Sequence, residues 1–167
     1  MILLYTGDGK GKTSACVGQA VRAHGRGLRV VFAQFMKRAG CAGEQKLLAA
    51  LDGIRFFAGG AGFFRNEVER EEHRRAALTV FSWARENLPE ADVLILDESI
   101  YALGSGLLLE SELRELMDMA RAKNIHLVLS GRGAPDWIVR DADLVTEMRM
   151  IKHPMEQGED AVKGIEF

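Results

Sequence analysis

Tyr5-Thr6-Gly7-Asp8-Gly9-Lys10-Gly11-Lys12-Thr13-Ser14 follows the short apolar run Ile2-Leu3-Leu4 and leads into Ala15-Cys16-Val17-Gly18-Gln19-Ala20-Val21, which reads as a helix. A strand, a glycine-rich turn and a helix in that order are what a phosphate-binding loop requires. Glycines let successive backbone N–H groups point into one concavity, and the helix N-terminus adds partial positive charge. Lys12 would then reach the phosphate oxygens, and the Thr13 hydroxyl would ligate Mg²⁺. The general pattern wants glycine six residues before the lysine, where this chain has Thr6. Gly7 comes one step late, and Gly9 and Gly11 alternate with Asp8 and Lys10, so the loop is a variant. A flexible turn beside a surface lysine is the alternative, and the strand–loop–helix context argues against it.

The rest of the composition narrows the class. A chain of 167 residues, 47% of them hydrophobic, is the size of one domain with a substantial core, spanning 1–167. A formal net charge of −2 offers no basic field for nucleic acid. No apolar stretch approaches the length that spans a bilayer, so no membrane partner is expected. The chain starts almost directly at its first strand, which leaves no room for a signal peptide. Cys16 and Cys41 make neither a disulfide framework nor a metal knuckle. Cys16 falls in the expected helix and reads as a small core residue, whereas Cys41 sits in the glycine-rich Gly40-Cys41-Ala42-Gly43 and reads as an exposed thiol. A reducing cytoplasm is the expected setting.

Apolar runs of strand length recur at 28–35, 54–57, 93–96, 125–129 and 144–145. Their near-continuous hydrophobicity predicts strands buried on both faces, as in a parallel sheet. Helical segments lie between them. Asn66, with Glu69 three residues on, predicts a capped helix start and an i,i+4 pair between Glu71 and Arg75. Leu113, Leu116, Met117 and Ala120 form a stripe at helical spacing, and a last short helix is predicted from Pro135. The expected fold is therefore α/β: a RecA-like P-loop domain with a mostly parallel central sheet flanked by helices. Ligands in such sheets collect at the carboxyl ends of the strands, where the P-loop already lies.

Val93-Leu94-Ile95-Leu96-Asp97-Glu98 is an apolar run ending in two carboxylates, the pattern of a Walker B strand. Either acid could hold Mg²⁺ directly or through water while the other polarises a water or orients a ligand. A solvated acidic turn is the alternative, and the P-loop upstream argues against it.

With both motifs in place, the chain from Tyr5 to Phe167 resembles the P-loop ATP:corrinoid adenosyltransferases of vitamin B12 metabolism. The resemblance is carried by Thr6-Gly7-Asp8-Gly9-Lys10-Gly11-Lys12-Thr13, Gln34-Phe35-Met36-Lys37, Gly62-Phe63 and Leu96-Asp97-Glu98. It continues in Ser130-Gly131-Arg132 with Ala134-Pro135, in Ala142-Asp143-Leu144-Val145-Thr146-Glu147-Met148, and in Lys152-His153-Pro154 with Gly164-Ile165-Glu166. Order and spacing, more than any single motif, make it specific.

The resemblance implies transfer of the 5′-deoxyadenosyl group of ATP to the cobalt of a reduced corrinoid, such as cobalamin or cobyrinic acid a,c-diamide, with release of triphosphate. Co(I) attacks the ribose 5′-carbon, so the protein supplies positioning and charge stabilisation instead of a nucleophile or base. The family's nucleotide lies reversed relative to P-loop hydrolases, with the loop gripping the far end of the triphosphate. The resemblance further implies Mg²⁺ or Mn²⁺, a flavoprotein or reduced flavin as electron donor, and a homodimer.

On that basis Gly7, Asp8, Gly9, Lys10, Gly11, Lys12 and Thr13 would cradle the triphosphate, with Arg132 emerging at the carboxyl edge beside it. Lys12, Thr13 and Glu98 are the expected catalytic set. Thr13 and Glu98 are the first choices for the metal, with Asp97 second. Gln34 and Lys37 end a strand on the same edge, and Lys37 reads equally as a solvated charge. Glu147 is either a second acid near the metal or a structural partner for a basic residue. Lys152 and His153 are candidate corrinoid contacts, against a structural role for a histidine beside proline. The family packs an aromatic cluster against the lower face of the corrin and displaces its axial base. Phe63 and Phe64, flanked by Gly59-Gly60 and Gly62, match that cluster, whereas at least one of Phe56 and Phe57 belongs to the core.

Two departures from the family stand out. Arg65 occupies a position where relatives often carry Trp, and only Met1 precedes the first strand where relatives commonly carry a helical extension. Both bear on corrinoid binding and neither on the ATP site. Two readings from other classes compete. A RecA-like ATPase or small kinase would yield ADP or phosphate, and a non-catalytic ATP-gated corrinoid-binding module would form no Co–C bond.

Overall fold

The apolar runs become six strands: β1 (Ile2–Thr6), β2 (Val30–Gln34), β3 (Ile54–Ala58), β4 (Val93–Asp97), β5 (His126–Ser130) and β6 (Leu144–Glu147). In the computed structural model, which describes residues 1–166, they form one sheet in the order β3-β2-β4-β5-β1-β6 with every pairing parallel. All the carboxyl ends therefore meet at one edge. The strand bearing the phosphate loop, β1, is separated from the acidic strand β4 by β5 alone.

Parallel pairing demands crossovers, and these are supplied by α1 (Lys12–His24), α2 (Gly43–Ala50), α3 (Arg70–Asn87), α4 (Ser99–Gly104), α5 (Glu110–Ala122) and α6 (Asp136–Asp141). Alternation along the strands sorts the core into two layers. Val30, Phe32, Val93, Ile95 and Val128 pack with Cys16, Ala20 and Ala23 of α1 and Leu48 of α2. Val31, Ala33, Leu94, Leu96, Leu127 and Leu129 face the other way, onto Ala77 and Val80 of α3, Leu113 and Leu116 of α5, and Ile138 of α6. Leu94, Ile95 and Leu96 are fully buried, and each such side chain stabilises the fold by about 1.5–3 kcal/mol over an exposed one. Among the described residues no helix is long and apolar enough to cross a membrane.

Several local expectations are corrected. Burial on both faces holds for β2 and β4, but β6 is exposed at all four positions. It is an edge strand whose one partner is β1, and edge position is invisible in a short apolar run. Asn66 does cap, but it caps a 3₁₀ turn over Glu67–Glu69, accepting from the Val68 N–H at 3.1 Å, and α3 follows from Arg70. The Glu71–Arg75 pair is not among the ion pairs of the described residues. Tertiary and local partners engage the neighbouring arginines instead: Arg74 donates to Glu112 at 2.8 Å and Arg70 to Glu67 at 2.7 Å. Pro135 is the extended residue before α6, one position outside it. Helix α2 was not expected. Its N-cap is Ala42, with no side-chain cap, so the sequence carries no start signal there.

Candidate active site

The phosphate loop leaves β1 after Thr6 and enters α1 through Gly11, which takes the left-handed φ of 116°. Its other glycines answer a second demand. A Cβ on Gly7 would lie 2.4 Å from the Met148 carbonyl oxygen and one on Gly9 2.7 Å from it, while the Gly9 N–H donates to that same oxygen at 2.7 Å. The segment after β6 is thus laid directly on the loop, and the Gly9 amide is engaged by protein. Lys12 is 6% exposed, and its ammonium donates to the carbonyls of Gly7 and Gly9, both at 2.7 Å. Burial pushes that ammonium down from its ordinary pKa, and the nearby Glu98 charge partly restores it. Phosphate oxygens are stronger acceptors than these carbonyls, so the lysine is held where it can be exchanged onto an anion.

Across β5, Asp97 is fully buried at the end of β4 and accepts three side-chain hydrogen bonds. Ser130 Oγ donates at 2.7 Å, Gln34 Nε2 at 3.0 Å, and Thr13 Oγ1 at 3.1 Å. Thr13 reaches it from the first turn of α1. Glu98, the next residue, has a φ of 61°, which costs a non-glycine residue about 1–3 kcal/mol and recurs at functional sites. Its N–H donates to Ser130 Oγ at 3.0 Å. Burial, and then the Asp97 charge, raise the Glu98 carboxyl above its ordinary pKa, while Lys12, Lys37 and Arg132 pull it back. Arg132 is exposed and follows the end of β5 at Ser130, at the carboxyl edge of the sheet.

Thr13, Asp97 and Glu98 offer hard oxygen donors of the kind Mg²⁺ prefers. Among the described residues no three His, Cys, Asp or Glu side chains cluster to hold a metal, so a divalent ion here would complete its shell with phosphate oxygens and water. The geometry brings Asp97 against Thr13, with Glu98 next in the chain.

The remaining candidates divide. Lys37 is not free: its ammonium meets Glu44 Oε1 at 2.6 Å. Burial alone would push the Glu44 carboxyl up, but Lys37, its own backbone amide and Gln34 hold it below the ordinary value. Lys10 donates to the Ile165 carbonyl at 2.8 Å and lies 3.4 Å from Glu166. Asp8 is exposed. Glu147 ends β6 in register with Thr6. His153 caps the 3₁₀ turn Pro154–Gln157, accepting from the Met155 N–H at 3.2 Å, and Lys152 is exposed.

The loop after β3 lies along the residues after β2. Gly60 N–H donates to the Lys37 carbonyl at 3.0 Å, Gly62 N–H to the Met36 carbonyl at 2.9 Å, and Arg38 Nε to the Ala61 carbonyl at 2.6 Å. Beyond these contacts Phe63 is 77% exposed. Phe64 turns inward, edge-on to His73 with ring centroids 5.5 Å apart and under the Arg70 guanidinium at 5.0 Å. Arg65 is exposed, and its guanidinium makes no hydrogen bond or ion pair among the described residues.

Sequence reasoning missed Glu44 and Gln45 on α2 and gave Ser130 no role of its own. Ser130 had a signal, since it ends an apolar strand as Asp97 does. The contacts of α2 had none.

Comparison with known proteins matches residues 1–167 to the family described as ATP:corrinoid adenosyltransferase BtuR/CobO/CobP. A corrinoid adenosyltransferase of Pseudomonas aeruginosa is 34% identical over 100% of this chain and 83% of its own length. The corrinoid adenosyltransferase CobA of Salmonella typhimurium is also 34% identical, over 100% of this chain and 85% of its own. The AMPPCP-bound DnaA structure from Aquifex aeolicus overlaps 88% of this chain and 39% of that one, at 16% identity and a TM-score of 0.46, a likeness too slight to add to the topology. Full-length coverage by both the family and its curated members leaves one assignment: the chain belongs to the ATP:corrinoid adenosyltransferase family.

Proposed function

We propose that this chain transfers the 5′-deoxyadenosyl group of ATP to the cobalt of a reduced corrinoid and releases triphosphate. The observation that carries the reading is Phe63, 77% exposed on a loop at the sheet edge where Lys12, Thr13 and Asp97 lie. Phosphoryl transfer to water needs no bare phenyl ring, whereas a flat macrocycle presented to the nucleotide would cover one.

In this reaction Co(I) of the corrinoid substrate attacks C5′ of ATP. The Co–C bond forms as the C5′–O bond breaks, the departing oxygen takes the bonding pair, and cobalt passes formally from +1 to +3. No proton moves, so no protein base is required. The chain's groups hold ATP in line and stabilise charge on the leaving triphosphate. Lys12 would turn from the Gly7 and Gly9 carbonyls to the phosphates, joined by the free amides of the first turn of α1 and by Arg132. Lys10 would follow on leaving Glu166. Thr13 and Asp97, with Glu98 alongside, would hold Mg²⁺ or Mn²⁺, which when bound supplies charge neutralisation at the phosphates. Phe63 and Arg65 are the proposed corrinoid contacts. Phe64 would support their loop, and Lys152 would add a charge at the rim with His153 beside it.

The two free cysteines, one of them exposed, support a reducing cytoplasm. The uncovered strand β6, with Leu144 and Val145 exposed, supports a homodimer. Reduction of cobalt to Co(I) supports a flavoprotein or reduced flavin as donor. The test is to mix the protein with ATP, Mg²⁺ and chemically generated Co(I) corrinoid. A light-sensitive adenosylcorrin absorption spectrum and intact triphosphate by phosphorus NMR are expected. ADP and phosphate formed without corrinoid would overturn the reading.

A further inference from the structure

We propose that Gln34 is a positioning residue that couples the phosphate site to the loop carrying Phe63, an inference that rests on the adenosyl-transfer reading above. Gln34 is fully buried and every polar group of its side chain is engaged. Its Nε2 donates to Asp97 Oδ2 at 3.0 Å and to Glu44 Oε1 at 3.2 Å, and its Oε1 accepts from Gln45 Nε2 at 2.8 Å. Gln45, itself 4% exposed, passes the connection on: its Nε2 also donates to the Arg38 carbonyl at 3.1 Å, and its Oε1 accepts from the Cys41 N–H at 3.2 Å. Glu44 meanwhile fixes Lys37 at 2.6 Å. Both branches of the network thus end on residues 37–41.

Those residues and the aromatic loop are tied together by hydrogen bonds. Lys37 and Met36 carbonyls accept from Gly60 and Gly62, and Arg38 grips Ala61. Gly60 leaves no slack, since a Cβ there would lie 2.1 Å from the Phe35 carbonyl oxygen. Phe63 follows at once in the chain.

At the other end the Thr13–Asp97 contact is loose. A hydroxyl donating to a carboxylate usually lies at about 2.5–2.7 Å, whereas Thr13 Oγ1 stands 3.1 and 3.2 Å from the two oxygens. Were Thr13 and Asp97 to hold the cation of a bound nucleotide, Asp97 Oδ2 would shift, and Gln34 has no spare partner with which to absorb the shift. The displacement passes to Gln45 and Glu44, and from them to residues 36–38 and the Phe63 loop. Nucleotide binding thereby sets the loop before the corrinoid arrives.

Hydrogen–deuterium exchange of residues 59–66, with and without Mg²⁺-ATP and in the absence of corrinoid, tests this. In the wild-type protein the nucleotide should slow exchange there by about tenfold, within the usual range of coupling between sites. Gln34→Met and Gln45→Met should still bind ATP by calorimetry but lose that slowing. In transfer assays their KM for corrinoid should rise while their KM for ATP holds. A purely structural role would speed exchange equally with and without nucleotide, leaving the ratio intact, and that result overturns the proposal. So does a wild-type loop indifferent to nucleotide. If Gln34→Met fails to fold, Gln45→Met, which leaves every Asp97 contact in place, decides alone. Nucleotide-dependent protection lost in the variants of a protein that makes no adenosylcorrin would sink the functional reading and leave the coupling standing. Failure of the wild-type protein to bind ATP would sink both.

Discussion

Asp97 closes strand β4 and Phe63 follows strand β3 on the same edge of the sheet, yet one is fully buried among three side-chain donors and the other is 77% exposed. Around Asp97 the polar side chains are already partnered by protein before any ligand arrives. Among the described residues every buried side-chain nitrogen or oxygen has a hydrogen-bond partner. Around Phe63 only the backbone is fixed, through Gly60, Ala61 and Gly62, and the side chains of Phe63 and Arg65 are left over. The contrast suits the two ligand chemistries. Charge on a triphosphate is best met by polar groups already held close to where they act. A flat apolar face is met by apolar surface that covering removes from water, worth about 1.5–3 kcal/mol for a ring of this size.

The largest effect should come from removing the buried charge. Lys12→Ala should lower adenosyl transfer by about 10²–10³-fold, the usual cost of one preorganised contact to developing charge, while circular dichroism shows an unchanged fold. Near-normal turnover at saturating ATP would erase the distinction drawn here.

The adjacent phenylalanines divide the contrast within one loop. Phe64→Ala should destabilise the protein by about 2–3 kcal/mol in denaturant titrations, somewhat below the loss for a fully buried ring. Phe63→Ala should leave stability within about 0.5 kcal/mol. It should nonetheless abolish most of the four-coordinate Co(II) signal in electron paramagnetic resonance of the ATP complex, and slow turnover from Co(II) far more than from preformed Co(I). An unchanged signal would make Phe63 an ordinary surface residue.

A smaller effect is expected from Glu98. Its folded pKa lies above the ordinary 4.5, so the native state binds the proton more tightly than the unfolded chain does. That preference stabilises the fold at low pH and is lost as pH rises from the unfolded pKa through the folded one. Relative to a residue that does not ionise, Glu98 therefore costs stability at neutral pH. Glu98→Gln should raise Tm at pH 7. The gain should shrink as pH falls toward the unfolded value. A Tm difference independent of pH would show that the ionisation of Glu98 is not its source.

The smallest change belongs to Arg65. A guanidinium fills space below a corrin less well than an indole, so Arg65→Trp should modestly increase the four-coordinate Co(II) fraction with cobalamin. With a corrinoid already lacking its lower base, little change is expected.

The phosphate loop and the interior strands were legible because their chemistry is local. Val93-Leu94-Ile95-Leu96 can only be buried, and the acids after it can only emerge at an end. What escaped was set by distant chain. The glycines at 7 and 9 are required by Met148 as much as by any phosphate, and Lys10 answers to Ile165 and Glu166. Gln34 stood out as a motif residue, but its partner Gln45 lies on a helix without a capping signal. Phe63 and Phe64 looked equivalent in sequence, since only a tertiary neighbour such as His73 decides which ring turns in.

Strand β1, synthesised before the other five, finds both its partners more than a hundred residues on: Ile2 pairs in register with Leu127, and Leu3 with Leu144. During translation β2, β3 and β4 can assemble while β1 waits, for roughly 10 s at typical elongation rates, as an unpaired apolar segment. Such non-local closure slows folding and lengthens exposure to aggregation. A chain cut short before β5 would carry every residue of its phosphate loop and no strand for β1 to pair with.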